Sequence, residues 1–218
     1  MAGGYAVSWS GGKDSTLALD RAVRSGLDVR HLFNLYDAAS GRVAFHGTRA
    51  ELIRRQAEHL GLGILQLPVP SGEFERVFLD GLDRLRVLGA GGIVFGNIHL
   101  ADVRAWYEER TRARGFEHVE PLWGEPPEAL VAEVIERGYR AIIVSVDLQR
   151  GRRDWLGREL TSALAAEIAS VDGADPAGEH GEYHTYVFDG SLFQRPVGVR
   201  PGETLEMKGH ALVDLTEV

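Results

Sequence analysis

The amino-acid sequence predicts an α/β fold, in which a Rossmann-like domain with a parallel sheet is followed by a smaller C-terminal α+β region. Three observations support this prediction. A short apolar run near the start leads through a glycine turn into an amphipathic stretch. Apolar runs then alternate with stretches of helical periodicity, which is typical of βαβ units with right-handed crossovers. From residue 171 onward, turn-forming residues and short runs replace this alternation.

The chain begins with a predicted strand, a glycine turn and a helix. Residues 5–9 are uncharged and rich in strand-forming side chains, Gly11 and Gly12 follow, and apolar residues at helical spacing come next. Glycines allow backbone N–H groups to approach an anion, and a helix N-terminus adds partial positive charge. We therefore expect the two glycines to bind a chain of phosphates. The polar residues beside them that are candidates to bind the nucleotide are Ser10, Lys13, Asp14 and Ser15.

Two common phosphate-binding motifs do not match this turn. A Walker A loop requires glycine in place of Val7, and Ser or Thr in place of Asp14. The motif G-x-G-x-x-G is absent because Gly11 and Gly12 are adjacent. Residues 10–15 instead resemble the SGGxDS loop of the adenine-nucleotide alpha-hydrolase (N-type ATP pyrophosphatase) superfamily, which holds the β- and γ-phosphates of ATP while a nucleophile attacks the α-phosphorus. The alternative is a turn that only reverses the chain.

Further candidate nucleotide contacts follow the second predicted strand, residues 29–36. This strand should end beside the first turn, where ligands bind in a parallel sheet. Asn34 and Tyr36 are therefore candidates to face the nucleoside, although plain strand-end residues fit the pattern equally well. A short strand is expected at 42–45. The residue after it, His46, is a candidate nucleotide contact, with a capping or packing role as the alternative.

The rest of the chain continues the alternation. The next helix is predicted to begin with a capping box of Thr48 and Glu51 and to end at Gly61. A strand at 91–97 contains a second glycine turn, whose Gly96 and Asn97 should face the same crevice as the first. The other predicted elements are strands at 63–67, 116–123 and 140–147, helices at 71–88, 100–115, 126–137 and 156–168, and short antiparallel strands within 186–199 and 210–215.

The amino-acid composition excludes some classes of function for this protein. The chain has 218 residues, no cysteine and a formal net charge of −8. The missing cysteine excludes disulfides, thiolate metal ligands and cysteine nucleophiles. The net negative charge argues against a nucleic-acid partner, although residues 150–153 form a small basic loop. No apolar run has the length of a membrane span and no leader opens the chain, so we expect a cytoplasmic protein without a membrane partner.

Four separated stretches resemble one branch of that superfamily, the diphthine–ammonia ligase family. They are residues 8–15, 96–104, 121–123 and 178–185. The resemblance implies an ATP-binding domain with a HUP-like α/β fold, which we place at residues 1–122, and a C-terminal substrate domain at 123–218. It also implies that ATP is cleaved to AMP and pyrophosphate with Mg²⁺, while ammonia converts a carboxylate into an amide. The absence of cysteine argues against the thiolation branch.

The implied chemistry suggests roles for individual residues. Lys13 and the loop amides would hold the departing pyrophosphate, and Asp14 would contribute to the magnesium site. Asn97 stands where the family usually has an acid, so Asp14 or a phosphate oxygen would carry more of the metal binding. Ammonia must lose a proton as it attacks, and Glu182 and His184 are the candidates to accept it, with a structural role as the alternative.

Substrate contacts are expected from five residues, which are Asp102, Arg104, Trp123, Glu179 and Tyr183. The implied acceptor, diphthine, is a modified histidine on a protein that carries a quaternary ammonium group. Aromatic faces and carboxylates bind such a cation, which would suit Tyr183 and Trp123.

Three alternatives remain open. The histidines and carboxylates of residues 179–184 have some of the features of a metal site, although the glycines among them argue against a helix. A nucleotide-binding sensor of the same fold would use the first turn to bind ATP and would hydrolyse it slowly or not at all. An adenylating enzyme with another acceptor or donor would cleave ATP in the same way but would use a different acceptor or a different sulfur or nitrogen donor. A homodimer is one assembly that the sequence allows.

Overall fold

The structure, a computed structural model, describes residues 3–207 and 209–218. The strands in this part of the chain are β1 Gly4–Ser8, β2 Val29–Asp37, β3 Gly63–Val69, β4 Ala90–Val94, β5 Glu117–Val119, β6 Arg140–Asp147, β7 Tyr183–Asp189, β8 Val199–Met207 and β9 His210–Glu217. The helices are α1 Lys13–Arg24, α2 Ala50–Leu60, α3 Phe74–Val87, α4 Ala101–Ala113, α5 Pro127–Glu136 and α6 Ser162–Ala169.

The first five strands form a parallel sheet in the order β3-β2-β1-β4-β5. The central strand β1 is buried on both faces, and its Val7 lies opposite Leu32 on one side and Val94 on the other. The chain first adds strands on one side of β1 and then on the other. The gap between β1 and β4 is therefore the switch point of this sheet, where ligands of open α/β sheets bind. The predicted fold class is confirmed.

The remaining strands form an antiparallel sheet in the order β7-β6-β9-β8. This sheet includes β6, which the sequence places in the alternating part of the chain. Its core is continuous with that of the first sheet, since Leu17 of α1 belongs to the same cluster of buried side chains as Ile143 and Tyr186. A second cluster, around Phe33 and Phe78, lies on the face covered by α3 and α4. No helix in the described parts of the chain is suited by length and composition to cross a bilayer.

The segment before α2 differs from its prediction. Residues 44–46 form a turn rather than a strand, because Val43 both accepts a hydrogen bond from Gly47 N and donates one to Thr48 O. The predicted capping box is wrong, since the N-cap of α2 is Arg49 and no side chain caps it. The Oγ1 atom of Thr48 is buried without a hydrogen-bond partner among the described residues.

Two later elements are shorter than predicted. The strand expected at 116–123 pairs only over Glu117–Val119, after which the chain turns. The helix expected at 156–168 begins only at Ser162, behind an N-cap in which Thr161 Oγ1 accepts from Leu164 N. The residues before it extend alongside β6, where Leu160 N donates to Ala141 O over 2.8 Å.

Candidate functional site

A crevice lies at the carboxyl ends of β1 and β4, where the parallel sheet meets the loop that leads into β7. It has two halves, of about 250 and about 210 Å³, which share Ser8, Ser10, His46, Tyr107 and His184. Each half alone is small for a metabolite site, but together they reach the range of about 300–1,000 Å³ that is usual for small-molecule pockets. We call them the apolar half and the polar half.

The glycine turn shapes the polar half without lining it. Gly11 has φ +83°, and a Cβ there would lie 2.5 Å from Gln56 Oε1. Its carbonyl accepts hydrogen bonds from Gln56 Nε2 and Val187 N. Gly12 is also buried, with the Thr185 carbonyl nearby. Neither glycine lines the crevice, because α2 and β7 cover them, and their contact with phosphates stays a prediction. The residues of the predicted phosphate turn that line the polar half are Ser10, Lys13, Asp14 and Ser15.

The first turn of α1 borders this half, since Lys13, Asp14 and Ser15 all line it. The N-cap is Gly12, which supplies no side-chain cap, and Lys13 N donates to Thr185 Oγ1 over 3.0 Å. The hydroxyl oxygens of Ser10 and Ser15 lie 3.4 Å apart at the same place. A helix start carries partial positive charge and unpaired donors, so this arrangement suits an anion.

Lys13 places a buried positive charge in the polar half. Its Nζ lies 2.9 Å from Asp14 Oδ2, donates to the carbonyl of Ala177 and sits 5.0 Å from the ring centre of Tyr183. Burial opposes the charge, but Asp14, Tyr183 and Glu179 outweigh burial, and the pKa of Lys13 is above its usual value. The side chain is therefore charged at neutral pH.

The second glycine turn packs directly onto the first helix. A Cβ on Gly96 would lie 2.9 Å from the backbone of Asp14, so only glycine allows this approach. Asn97 lines the polar half, and its Nδ2 donates to Glu120 Oε1 over 2.9 Å. The amide is thus oriented by Glu120, a carboxylate that is almost completely buried and lies 3.3 Å from the guanidinium of Arg104. An acid at position 97 would face Glu120 with like charge.

The two glutamates of the loop before β7 have different surroundings. Glu179 lines the polar half and lies 3.4 Å from Ile98 N. Burial and, after it, the charge of Asp14 raise the pKa of Glu179 to about 7. Glu182 is 1% exposed and accepts hydrogen bonds from Asp175 N and His180 N. Glu182, which sequence reasoning proposed as a proton acceptor, does not line the crevice, because its carboxylate holds the loop backbone.

Two imidazoles lie where the halves of the crevice meet. The rings of His46 and His184 are 4.4 Å apart between centroids, and His46 Nδ1 lies 3.4 Å from Thr185 O. Burial lowers the pKa of His46 to about 4, and burial together with His46 and Lys13 lowers that of His184 well below its usual value. Both rings are therefore neutral at pH 7.

The apolar half is built from aromatic side chains. Phe33 and Phe78 of the second core cluster form one wall, and Tyr107 joins Phe78 in an edge contact with centroids 5.3 Å apart. Phe45 lies at the mouth and is 72% exposed, and its φ of 63° is an unusual backbone conformation for a residue with a side chain. Phe33 and Phe78 are almost completely buried, so the ring surface that this half offers to a flat, apolar ligand group comes from the more exposed Phe45 and Phe74.

Several predicted site residues lie outside the crevice. Asn34 is 1% exposed and its amide is used in the protein, since Nδ2 donates to Trp9 O and Oδ1 accepts from Gln66. Tyr36 lines a neighbouring hollow beside β3. Asp102 is exposed on α4. The sequence indicated that these three residues lie at strand or helix ends, but it did not show where their side chains point.

The predicted aromatic contacts already face cations of the chain itself. The guanidinium of Arg104 lies 4.5 Å from the ring centre of Trp123, and neither residue lines the crevice. Tyr183 lines the polar half, but its ring faces Lys13 and its hydroxyl donates to Pro176 O. The two rings therefore do not form a shared cage.

Sequence reasoning missed several residues that build the crevice. Gln56 lies on the buried face of α2, where it accepts from Trp9 Nε1 and donates to both Gly11 O and Val187 O. The signal that could have identified Gln56 is its position as a polar residue within the apolar stripe of a helix. Thr185 belongs to the predicted polar cluster, but nothing in the sequence showed that it contacts Lys13 N. In the sequence, the aromatic residues of α3 and α4 that line the crevice could not be distinguished from ordinary core residues.

Fold and crevice together define a Rossmann-like α/β protein with an anion-suited helix start at the switch point of its sheet. Two family profiles match the chain, the diphthamide synthase N-terminal domain over residues 3–118 and the diphthamide synthase C-terminal domain over residues 126–215. The chain therefore belongs to the diphthamide synthase family, an ATP-using enzyme family of diphthamide biosynthesis. No curated protein sequence matches the chain.

Proposed function

We propose that the protein is an ATP-dependent amide ligase, which adenylates a carboxylate of the diphthine type and transfers ammonia to it. The observation that carries this proposal is the division of the crevice into an apolar aromatic half and a polar half with Lys13. A nucleoside triphosphate has the same division, because a flat base is joined to a chain of phosphates. Family membership supports ATP as the nucleotide.

The phosphates are assigned to the first turn of α1. Ser10, Lys13 and Ser15 supply hydroxyl and ammonium donors there, and the N–H groups of the helix start add to them. The base is assigned to the apolar half, beside the exposed rings of Phe45 and Phe74. In this orientation the α-phosphate lies between the halves, beside His46 and His184.

The proposed reaction has two steps. An oxygen of the acceptor carboxylate forms a bond to the α-phosphorus, and the bond from that phosphorus to the bridging oxygen of the β-phosphate breaks, releasing pyrophosphate. The nitrogen of ammonia then forms a bond to the acyl carbon, the bond from that carbon to the AMP oxygen breaks, and nitrogen loses one proton. Holding the groups in line and neutralising charge are the main tasks of such a site.

The residues in the polar half suit a magnesium ion. Asp14 offers a partly exposed carboxylate, and the donor side of the Asn97 amide is occupied by Glu120, which leaves its oxygen for a ligand. Oxygen atoms are the ligands that Mg²⁺ prefers, so Asp14, Asn97 and phosphate oxygens would hold it. When bound, Mg²⁺ would neutralise charge on the departing pyrophosphate.

Glu179 is the proposed proton acceptor for ammonia. It and Asp14 are the carboxylates that line the polar half, and Asp14 is engaged by Lys13. The neutral rings of His46 and His184 lie at the boundary between the halves, so His184 is the alternative acceptor.

Product analysis with ATP labelled at the α-phosphate tests this proposal. Repeated turnover to labelled AMP and unlabelled pyrophosphate should require both ammonium and an acceptor with a free carboxylate, whereas the acceptor without ammonium should release at most one pyrophosphate per active site. Labelled ADP would contradict adenylation. Binding of ATP without any turnover would favour a nucleotide sensor, and turnover that is independent of ammonium would favour another nitrogen or sulfur donor.

A further inference from the structure

Three potential metal ligands from distant parts of the chain lie together beside the crevice. They are His99 of the loop before α4, and Asp175 and His180 of the loop before β7. His99 Nε2 lies 3.3 Å from Asp175 Oδ2, and one ligand atom from each of the three residues lies within 4.8 Å of the other two. None of the three lines the crevice, so the cluster is a separate site.

The spacing is close to that of a bound transition metal. Zinc–nitrogen and zinc–oxygen bonds of about 2.0–2.2 Å in a tetrahedral site place neighbouring ligand atoms about 3.3–3.5 Å apart. The His99–Asp175 separation of 3.3 Å already has this value. The third ligand, His180, is exposed, so its ring is free to move the remaining distance of at most about 1.5 Å.

The backbone of the cluster is fixed by a carboxylate that takes no part in the crevice. Glu182 Oε1 accepts from Asp175 N over 2.9 Å, and its Oε2 accepts from His180 N over 3.1 Å. One buried side chain therefore holds both loop ligands in place. Asp175 Oδ1 accepts from Ala177 N over 2.7 Å, which leaves Oδ2 directed toward His99. Such supporting hydrogen bonds are typical of metal sites.

We propose that His99, Asp175 and His180 bind a divalent transition metal ion of the zinc type. Two imidazoles and one carboxylate are ligands that suit zinc, nickel or cobalt, whereas Mg²⁺ and Ca²⁺ prefer oxygen alone. Three protein ligands leave a fourth position for water. The ion would join the loop that holds Gly96 to the loop that holds Glu179, and so would fasten the two sides of the polar half together.

Zinc titration of the untagged, metal-free protein by calorimetry tests the proposal. The wild type should bind one ion per chain, and His99→Gln and His180→Gln should each weaken binding more than about tenfold, because supporting residues alone contribute about 10–100-fold at metal sites. His31→Gln is the matched control, since His31 lies at the opposite end of the parallel sheet. Equal binding by all four proteins, or an equal loss in the control, would overturn the proposal.

Thermal unfolding gives a second, independent readout. An ion that binds only the folded chain raises its unfolding midpoint by mass action. Zinc chloride should raise the midpoint of the wild type and the control more than that of His180→Gln, whereas magnesium chloride should affect all three proteins alike. Equal shifts with both salts would contradict a site of this ligand chemistry. Because His180 is exposed, we expect His180→Gln to fold, and this variant tests the proposal if His99→Gln does not fold.

Discussion

Glu179 and Glu182 lie three residues apart and have opposite surroundings. Glu179 faces the polar half of the crevice beside Lys13 and Asp14, whereas Glu182 is buried against the N–H groups of its own loop. The sequence showed two glutamates among glycines and gave no means of telling which one faced outward. The difference arises from the turn at residues 175–181, which the sequence located but whose backbone path it did not define.

Replacing each glutamate by glutamine separates the two roles. Glu179→Gln keeps the shape of the crevice and removes its proton acceptor, so ATP should bind within about twofold of the wild type while turnover falls at least about a hundredfold. Glu182→Gln should lower the free energy of unfolding by about 1–3 kcal/mol, because the amide nitrogen cannot accept from the loop backbone. Equilibrium ATP binding, turnover and urea unfolding measure these effects. Loss of stability in Glu179→Gln alone would reverse the assignment.

Lys13 is expected to act on the outer phosphates. Lys13→Met keeps most of the side-chain volume and removes the charge, so ATP binding should weaken about tenfold to a hundredfold, the usual contribution of hydrogen bonds to a charged group. Binding of adenosine, which lacks phosphates, should change little. Competition binding with both ligands makes the comparison within one protein. An equal loss for adenosine and ATP would mean that the variant damages the crevice as a whole.

The segment between β2 and α2 shows how one element depends on another far away in sequence. Asp214 of β9 accepts from Arg42 and pairs with Arg49, and Arg42 also donates to Gly47 O. These bonds fix both ends of the turn that carries Phe45 into the mouth of the apolar half. The sequence predicted a strand and a capping box here, because it could not show that β9 would supply the anchoring charge.

Asp214→Asn should therefore destabilise the protein in a pH-dependent way. The hydrogen bond from Arg49 holds the pKa of Asp214 at about 2, below the value of about 3.9 in an unfolded chain. A lowered pKa contributes stability above the unfolded value and loses it as the pH falls toward the folded value. The variant should unfold with about 2 kcal/mol less free energy at pH 7, and the gap should narrow below pH 4.

Urea unfolding between pH 7 and pH 3 measures this gap. Asp28→Asn is the control, since Asp28 forms an exposed pair with Arg30 and exposed pairs contribute little. A gap that stays constant from pH 7 to pH 3 would show that the Asp214 carboxylate does not supply the stability.

The sequence predicted features that depend on neighbouring residues, but not those that depend on contacts between distant parts of the chain. Local signals predicted β1, the glycine turn and α1, because periodicity and glycine placement act within a few residues. They did not show that β6 pairs with β7 and β9, since an apolar run is compatible with a parallel or an antiparallel neighbour. Likewise, Gly11 was identified as a turn residue, but the covering of that turn by Gln56 depends on how α2 packs.

At the scale of the whole molecule, the crevice depends on both sheets. Lys13 of the parallel sheet region is held by Ala177 O and Thr185 Oγ1, and the main core cluster runs through both sheets. Residues on either side of position 122 thus share one core. The polar half exists only when the two regions are folded against each other.

This shared core predicts cooperative unfolding. Amide hydrogen exchange at Val7 of β1 and Ile143 of β6 should report opening free energies that agree within about 1 kcal/mol, because both strands open in the same global event. Urea titration monitored by exchange at both strands makes this comparison. Two separate transitions, with β6 opening well before β1, would contradict it.

The central claim is that the N-terminal turn of α1 holds the outer phosphates of ATP. A crystal structure with an ATP analogue that resists cleavage between the α- and β-phosphates tests it most directly. We expect the β- and γ-phosphates within hydrogen-bond distance of Ser10, Lys13 and Ser15, with the base in the apolar half beside Phe45 and Phe74. A triphosphate bound outside the polar half would contradict the proposed function.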